Sequence, residues 1–218
     1  MQLPFTIEQF FGVFRAYNNA VWPAQVFLLA LAIAAVALVA VRRHWSGAAI
    51  SAILALLWAW LGLVYHCAFF AAVNPAALVF GGVSLAGAAV FFWQGVVCRN
   101  LSFKAVAGGR AAAGVALIIF ALIVYPAWSH LAGHRYPATP TFGLPCPTTM
   151  FTIGLLAFLV RPYPRSVLVV PVLWCVVGVQ AAFLLGVPQD LGLGVAGAVG
   201  IALLVRSRAG AASPVDPR

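Results

Sequence analysis

Seven long apolar runs, separated by short connectors that carry almost all of the charge, constrain this chain more than any other feature. The runs cover approximately residues 21–41, 48–71, 75–97, 111–129, 148–160, 167–185 and 191–205. Most of them have the roughly 20 residues that a helix needs to cross a hydrocarbon core about 30 Å thick. Only 7% of the residues are charged, whereas a soluble domain carries about a quarter. The sequence therefore predicts an all-α membrane protein, a bundle of about seven transmembrane helices in contact with the lipid bilayer.

The basic residues predict how this bundle is oriented. If the runs alternate in direction, most of the Lys and Arg residues fall on one side: Arg42, Arg43, Arg99, Lys104, Arg110, Arg161, Arg165, Arg206, Arg208 and Arg218. The other side keeps only Arg15 and Arg135. Because Lys and Arg mark cytoplasmic loops, we expect the N-terminus outside and the C-terminus inside. Basic residues placed singly or in pairs at the ends of apolar runs also argue against a nucleic-acid partner.

The two ends of the chain differ from the apolar runs. Residues 1–208 are expected to form a single transmembrane domain, and the small and polar residues 209–218 a disordered cytoplasmic tail. Near the N-terminus, Thr6 and Gln9 fit a capping box. Apolar residues then recur at helical spacing: Ile7, Phe10, Phe11, Phe14 and Tyr17. This pattern predicts a short helix in the outer interface, either an aromatic anchor or a lid over an outward-facing pocket.

Polar side chains collect at the outer ends of the runs, whereas the inner ends carry arginines and little else. The candidates for a shared extracytoplasmic pocket are Glu8, Asn18, His66, His134, Arg135, Cys146, Thr148, Thr149 and Asp190. Polar groups at membrane depth usually face the interior of a bundle and mark a site. The alternative is that each of these groups is simply hydrated at the interface.

The fifth run is too short to cross the bilayer as a helix. Residues 148–160 would span about 20 Å of the roughly 30 Å required. The preceding "GLPCPTT" contains Pro145 and Pro147, which bar a regular helix there. We expect this stretch to dip into the outer half of the bundle, with the helix starting near Pro147 and its N-terminus directed at a cavity. Such an N-terminus would favour an anionic group and a Cys146 thiolate; the alternative is an inert buried thiol.

Two of the histidines have a spacing typical of metal ligands. His130 and His134 lie four residues apart, on one face of a helix if the fourth helix extends that far. Together with His66, and with Asp190 or Cys146 as a further ligand, they form a hypothetical zinc or copper site. No Cys-x-x-Cys or His-Glu-x-x-His motif accompanies them.

Four stretches resemble a known family. They are "YNNAVWPAQ" at 17–25, "WAWLGLVYHCAFFAAVNPAA" at 58–77, "GHRYPATPTFGLPCPTT" at 133–149 and "LGVPQDLGLGVAG" at 185–197. Together they resemble a family of bacterial multipass membrane proteins that is catalogued only as a domain of unknown function. The resemblance covers almost the whole chain and implies a bacterial membrane domain, placed in the inner membrane. It implies no activity, cofactor or catalytic residue.

Three functions are compatible with these features. The first, which we favour, is a small transporter or permeation protein for a small solute or ion, with an outward-facing polar pocket. The second is a membrane-embedded enzyme, metal-dependent or Cys-based, that acts from the periplasmic side. The third is a non-catalytic membrane partner or scaffold. The sequence shows no clear inverted repeat, as many transporters have, and no motif that pairs a nucleophile with its base.

Overall fold

The computed structural model describes residues 4–41 and 43–208. It is 76% helical, and the described residues contain no β-strand, which confirms the all-α class. The proposed disordered tail at 209–218 lies outside the described residues, as does Arg42.

Eight main helices make up the described part of the chain. They are α1 (Ile7–Val21), α2 (Ala24–Val41), α3 (Ser46–Ala72), α4 (Ala77–Val97), α5 (Gly109–Leu131), α6 (Pro145–Leu156), α7 (Ser166–Leu184) and α8 (Pro188–Val205). All except α1 and α6 are long and apolar enough to cross a membrane. Large apolar side chains cover their outer faces, among them Phe27, Leu63, Val79 and Val195. The chain is therefore a multipass membrane protein with six candidate spans in its described part, and its outer surface suits contact with lipid.

The helices run between two ends of the bundle that differ in chemistry. At the basic end, two adjoining crevices are lined by Arg43, Arg99, Lys104, Arg110 and Arg161. At the cavity end, the larger of two neighbouring cavities is lined by Tyr65, His66, Tyr125, Trp174 and Asp190, among others. Successive helices from α2 to α8 alternate in direction between these two ends. The described basic residues that line the crevices therefore lie at one end of the bundle.

Helix α6 occupies the centre of the bundle. All residues from 147 to 156 are buried, and α5, α7 and α8 pack around them. From α3, the indole N–H of Trp58 donates a hydrogen bond to the hydroxyl of Thr152 at 3.1 Å. A helix of 12 residues covers only about 18 Å, so α6 connects the two ends as a short helix enclosed by longer ones.

Chain segments at both ends of α6 fold into the protein to meet this short helix. At the basic end, the Lys104 amide donates to the Phe158 carbonyl at 2.9 Å, and the Val160 amide donates to the Ser102 carbonyl at 2.8 Å. At the cavity end, Leu144 is buried. The stretch "GLPCPTT" thus lies inside the bundle, as the sequence predicted.

The start of α6 differs from the prediction. The helix begins at Pro145, not near Pro147, so both prolines lie in its first turn. Amide groups in the first turn of a helix have no intrahelical acceptor, and proline loses nothing there by lacking one. The prolines therefore begin the helix instead of delaying it.

Candidate functional site

Helix α1 covers the cavity end of the bundle. Its start is fixed by the predicted capping box: the Gln9 amide donates to the Thr6 hydroxyl at 3.2 Å, and the Thr6 amide donates to the Gln9 side chain at 2.8 Å. Phe10 and Phe14 are buried and line the cavity. The predicted apolar face is right except for Ile7, which is 51% exposed. The helix serves as one wall of the cavity.

The cavity has a volume of about 450 Å³ and a continuous aromatic lining. We call this lining the aromatic wall; it consists of Phe5, Phe10, Phe14, Tyr65, Phe70, Phe80 and Trp174. Neighbouring rings contact one another, with centroids 5.4 Å apart for Phe80 and Trp174 and 5.7 Å apart for Tyr65 and Phe70. The volume falls within the range of about 300–1,000 Å³ typical of small-molecule sites.

One carboxylate faces this aromatic wall. Asp190 is 1% exposed, and it accepts hydrogen bonds from the Tyr125 hydroxyl at 2.6 Å and from the Cys146 thiol at 3.4 Å. Among the described residues, no Lys or Arg lines the cavity. Both donors are neutral, so no basic side chain offsets the negative charge of an ionised Asp190.

His66 lies on the cavity without a polar partner. Its side chain is 1% exposed, and neither ring nitrogen has a hydrogen-bond partner. Its ring packs edge-on against Trp174, with centroids 4.9 Å apart, and the indole N–H of Trp174 is also buried and unpartnered. Because an unsatisfied buried polar group costs about 1–3 kcal/mol, His66 and Trp174 are poised to bond a molecule in the cavity.

Irregular helical turns carry the residues of this site. A π-helical segment, Leu61–Phe69, interrupts α3 and includes Tyr65 and His66. A second π-helical segment, Phe120–Val124, directly precedes Tyr125 in α5. Wide turns of this kind are frequent at functional sites, because they turn a side chain out of the regular helical register.

The whole of this architecture falls within one family. The family model described as "Family of unknown function (DUF6064)" matches residues 7–213. The chain belongs to this family. The match begins with α1 and continues past α8, so the cavity and the central helix are parts of the DUF6064 domain. No curated protein and no solved structure matches the chain.

Cys146 in this DUF6064 protein has a different setting from the one predicted. Pro145 and Pro147 have no N–H group, and the Thr148 amide donates to the Leu144 carbonyl, so the first turn of α6 offers few free donors to an anion. The thiol also lies beside the Asp190 carboxylate, which disfavours a second negative charge. The geometry therefore does not support the expected anion site or the expected thiolate.

Asn18 fastens a loop and does not line the cavity. It is fully buried, and its amide donates to the carbonyls of Pro137 and Thr139 at 2.7 and 2.8 Å. Its side-chain oxygen accepts from the hydroxyl of Thr141 at 2.8 Å and from the side chain of Gln25 at 3.3 Å. Asn18 therefore ties the connector between α5 and α6 to α1, which is a structural role in the DUF6064 fold.

Four other predicted pocket residues also lie away from the cavity lining. Thr148 and Thr149 are buried in α6 with unpartnered hydroxyls, and Glu8 and Arg135 are exposed. None of the four lines the cavity. Of the predicted set, the structure brings together His66, Cys146 and Asp190.

The three histidines proposed as metal ligands lie around different cavities. His130 and His134 line a second cavity of about 320 Å³, and His134 stacks on Phe11 with ring centroids 4.2 Å apart. His66 lines the first cavity instead. Within residues 4–41 and 43–208, no three His, Cys, Asp or Glu side chains form a group that could hold a metal ion.

Sequence reasoning singled out neither Tyr125 nor Trp174. Both lie in long apolar runs, where an aromatic residue is most simply explained by packing. One signal was present, since a buried Tyr or Trp usually finds a partner for its O–H or N–H. For Tyr125 that partner is Asp190, 65 positions away in the chain.

Proposed function

We propose that the cavity binds a small organic solute with an apolar body and a positively charged group, and that the protein moves this solute across the bacterial inner membrane. The observation that carries the proposal is His66, whose two ring nitrogens are buried at the cavity without a partner. A cavity of about 450 Å³ has room for a ligand that would satisfy them. This position makes His66 a group that orients the solute.

The charge of the solute is argued from the lining. Asp190 supplies a carboxylate, and no Lys or Arg among the described residues of the lining competes for it. The aromatic wall adds ring faces, which attract cations through their quadrupoles. An anionic solute would meet repulsion from Asp190 and few free amide donors at the start of α6, so a cation fits this lining best.

The transport part of the proposal rests on the position of the cavity and on the short central helix. The basic residues gather at the opposite end of the bundle, which by the positive-inside rule would be cytoplasmic. The N-terminus and the cavity would then face outside, with α6 as a seventh crossing and α1 in the outer interface. Because the buried residues of α6 fill the centre below the cavity, passage would require the bundle to rearrange around α6, as in alternating access.

A second candidate, a Cys-based enzyme acting from the periplasmic side, is favoured by one observation. The Cys146 thiol and the Asp190 carboxylate are in hydrogen-bond contact at the cavity, and His66 lies on the same cavity. A nucleophile beside a possible base is the minimum that such chemistry needs. In the third candidate, a scaffold, the same cavity would stay empty or hold part of a partner protein.

The binding test uses the purified protein in nanodiscs. Thermal unfolding would be followed with a panel of small aromatic and aliphatic ammonium compounds, each paired with a neutral analogue and a carboxylate of similar size. We expect the ammonium compounds to raise Tm and Asp190→Asn to weaken their binding about tenfold, the value of one charge-assisted contact. Glu8→Gln, which changes an exposed carboxylate on α1, is the matched control and should leave binding unchanged.

Two outcomes would contradict the binding proposal: stabilisation by carboxylates alone, or ammonium binding that is equal in Asp190→Asn and in the unchanged protein. Flux of the bound compound into proteoliposomes then separates the candidates. A transporter accumulates the intact compound on the far side. An enzyme converts it and loses that conversion, but not binding, in Cys146→Ser.

A further inference from the structure

The second cavity, of about 320 Å³, is not used by the proposed solute binding. It lies between α2 and α5 at the cavity end of the bundle, and the connector between α5 and α6 completes its wall. Tyr125, Pro140 and Pro147 line the first cavity as well. These three residues therefore separate two neighbouring cavities that differ in the rest of their lining.

Gln25 brings an unused hydrogen-bond acceptor to the second cavity. The residue is 7% exposed, and its amide nitrogen donates to the backbone carbonyl and the side-chain oxygen of Asn18, at 3.0 and 3.3 Å. The Asn18 amide nitrogen itself donates to two other carbonyls, so the orientation of both amide groups is fixed by their partners. The side-chain oxygen of Gln25 is buried and has no donor. Only an O–H or N–H group can satisfy it.

His134 adds a second buried atom without a partner to the same cavity. Its ring stacks on Phe11 with centroids 4.2 Å apart, which holds the imidazole in place, and its Nδ1 has no hydrogen-bond partner. Buried polar atoms that stay unbonded destabilise the protein. A water molecule takes up about 30 Å³, so water bound at these two atoms would leave most of the cavity unfilled. The space therefore suits a larger molecule.

The rest of the lining indicates that this molecule has an apolar body and no charge. Leu29, Leu122 and Phe142 form an apolar wall. Among the described residues, no Lys, Arg, Asp or Glu lines the second cavity. A charged group would lose its hydration here without gaining a counter-ion. Hydroxyl groups on an apolar chain would instead meet both the unpartnered atoms and the apolar wall.

The border of the second cavity indicates where the molecule comes from. Val26 on α2 and Pro126 on α5 line the cavity and are exposed. Both helices are candidate membrane spans, and the neighbouring Phe27 and Ile123 are exposed on their outer faces. The cavity is therefore bordered by surface that suits contact with lipid. An amphiphile dissolved in the bilayer has direct access to it.

We propose that the second cavity binds an uncharged, hydroxylated lipid amphiphile from the surrounding bilayer, of which a monoacylglycerol is the simplest example. The acyl chain lies against the apolar wall, one hydroxyl donates to the side-chain oxygen of Gln25, and the other bonds Nδ1 of His134. This site is independent of the proposed solute binding, because the charge of Asp190 has no part in it.

The test uses the whole purified protein in phosphatidylcholine nanodiscs and two probes with the same acyl chain. Monododecanoylglycerol carries free hydroxyls, whereas methyl dodecanoate carries none. Native mass spectrometry over a titration would measure the probe bound per protein. We expect the glyceride to bind at least about tenfold more tightly, because only its hydroxyls can satisfy the two unpartnered atoms. Equal binding of the two probes would overturn the proposal, as would phosphatidylcholine that stays bound when the glyceride is added.

Two substitutions to tryptophan test where the probe binds. Leu29→Trp places a larger side chain in the second cavity, and we expect it to abolish binding of the glyceride. Leu78→Trp is the matched control, because Leu78 is exposed on α4 and does not line the cavity. Equal effects of the two substitutions would place the probe elsewhere and overturn the site.

The hydrogen bonds are tested at His134. Gln25→Leu would also break the bonds to Asn18 and endanger folding, whereas His134→Phe keeps a ring that can stack on Phe11 and removes only the nitrogens. We expect His134→Phe to weaken binding of the glyceride about fivefold and to leave methyl dodecanoate unchanged. Unchanged glyceride binding would contradict the proposed contact. Asp190→Asn should not affect the glyceride, so this proposal and the proposed solute binding can fail separately.

Discussion

The two ends of this bundle differ in packing and in charge. At the cavity end, aromatic rings and neutral donors surround one carboxylate, and nearly every side chain is packed against another. At the basic end, Lys and Arg side chains line two open crevices. The difference indicates that the cavity end is pre-organised by packing, whereas the basic end is an open surface that carries positive charge.

The packing of the cavity end predicts where substitutions will cost most. Asn18→Ala removes a fully buried side chain that bonds two carbonyls, a hydroxyl and an amide. Several buried groups would then lack partners, so we expect the free energy of unfolding to fall by about 3 kcal/mol. Asn100→Ala is the control at the basic end, where the exposed Asn100 bonds only Gln94. Thermal or chemical unfolding in detergent measures both variants, and similar losses would remove the proposed contrast.

The two ends also differ in the hydrogen bonds that their buried tyrosines make. The Tyr125 hydroxyl donates to a carboxylate at 2.6 Å, and the Tyr163 hydroxyl donates to the Leu203 carbonyl at 2.9 Å. Bonds to charged groups are worth about 1.5–3 kcal/mol and neutral ones about 1 kcal/mol. We therefore expect Tyr125→Phe to destabilise by about 2 kcal/mol and Tyr163→Phe by about 1 kcal/mol, in the same unfolding assay. A larger loss for Tyr163→Phe would contradict the expectation that the bond to Asp190 is the stronger of the two.

Only part of this contrast could be predicted from the sequence. The apolar runs, the capping box at Thr6 and the burial of "GLPCPTT" follow from local pattern and helix length. The basic residues could be sorted to one end because alternation depends only on counting the runs. Each of these features depends on neighbouring residues or on a count along the chain, so one sequence is enough to predict it.

The cavity itself could not be assembled in this way. The π-helical turn that presents His66 depends on how α3 packs against α4, where a Cβ on Gly81 would lie 2.6 Å from the Cys67 sulfur. The pairing of Tyr125 with Asp190 joins distant positions. Asn18 is polar and lies near the outer end of the bundle, as a pocket residue would. Its structural role is set by the loop that folds onto it. The positions of these three side chains depend on tertiary contacts, and tertiary contacts leave no periodic pattern in the sequence.

The cysteines offer a further way to compare the two ends. Cys98 is exposed beside the basic end, whereas Cys146 is partly buried and lines the cavity in contact with Asp190. In proteins that each retain one of these cysteines, we expect a membrane-impermeant maleimide to label Cys98 at least about tenfold faster than Cys146, because thiolate character and exposure set the rate.

Labelling from the two faces of sealed vesicles also tests the orientation. Cys98 should react only from the cytoplasmic side, and Cys146 only from the opposite side. Phe10→Ala and Phe14→Ala, which open the aromatic wall, should speed the labelling of Cys146 and leave Cys98 unchanged. Labelling of both cysteines from one face would contradict the alternation of helices between the two ends.

The smallest effect concerns pH and the loop over the cavity end. Burial against Phe11 lowers the pKa of His134, so the folded protein disfavours a proton that the unfolded chain accepts near pH 6.5. Stability is then fully present above that pH and falls as the pH drops below it. We expect Tm to decrease slightly between pH 7.5 and 5.5, and to decrease less in His134→Gln. Phe11→Ala, which exposes the ring, should also reduce the slope, whereas Lys104→Gln at the basic end should not. An unchanged slope in His134→Gln would assign the pH dependence to another group.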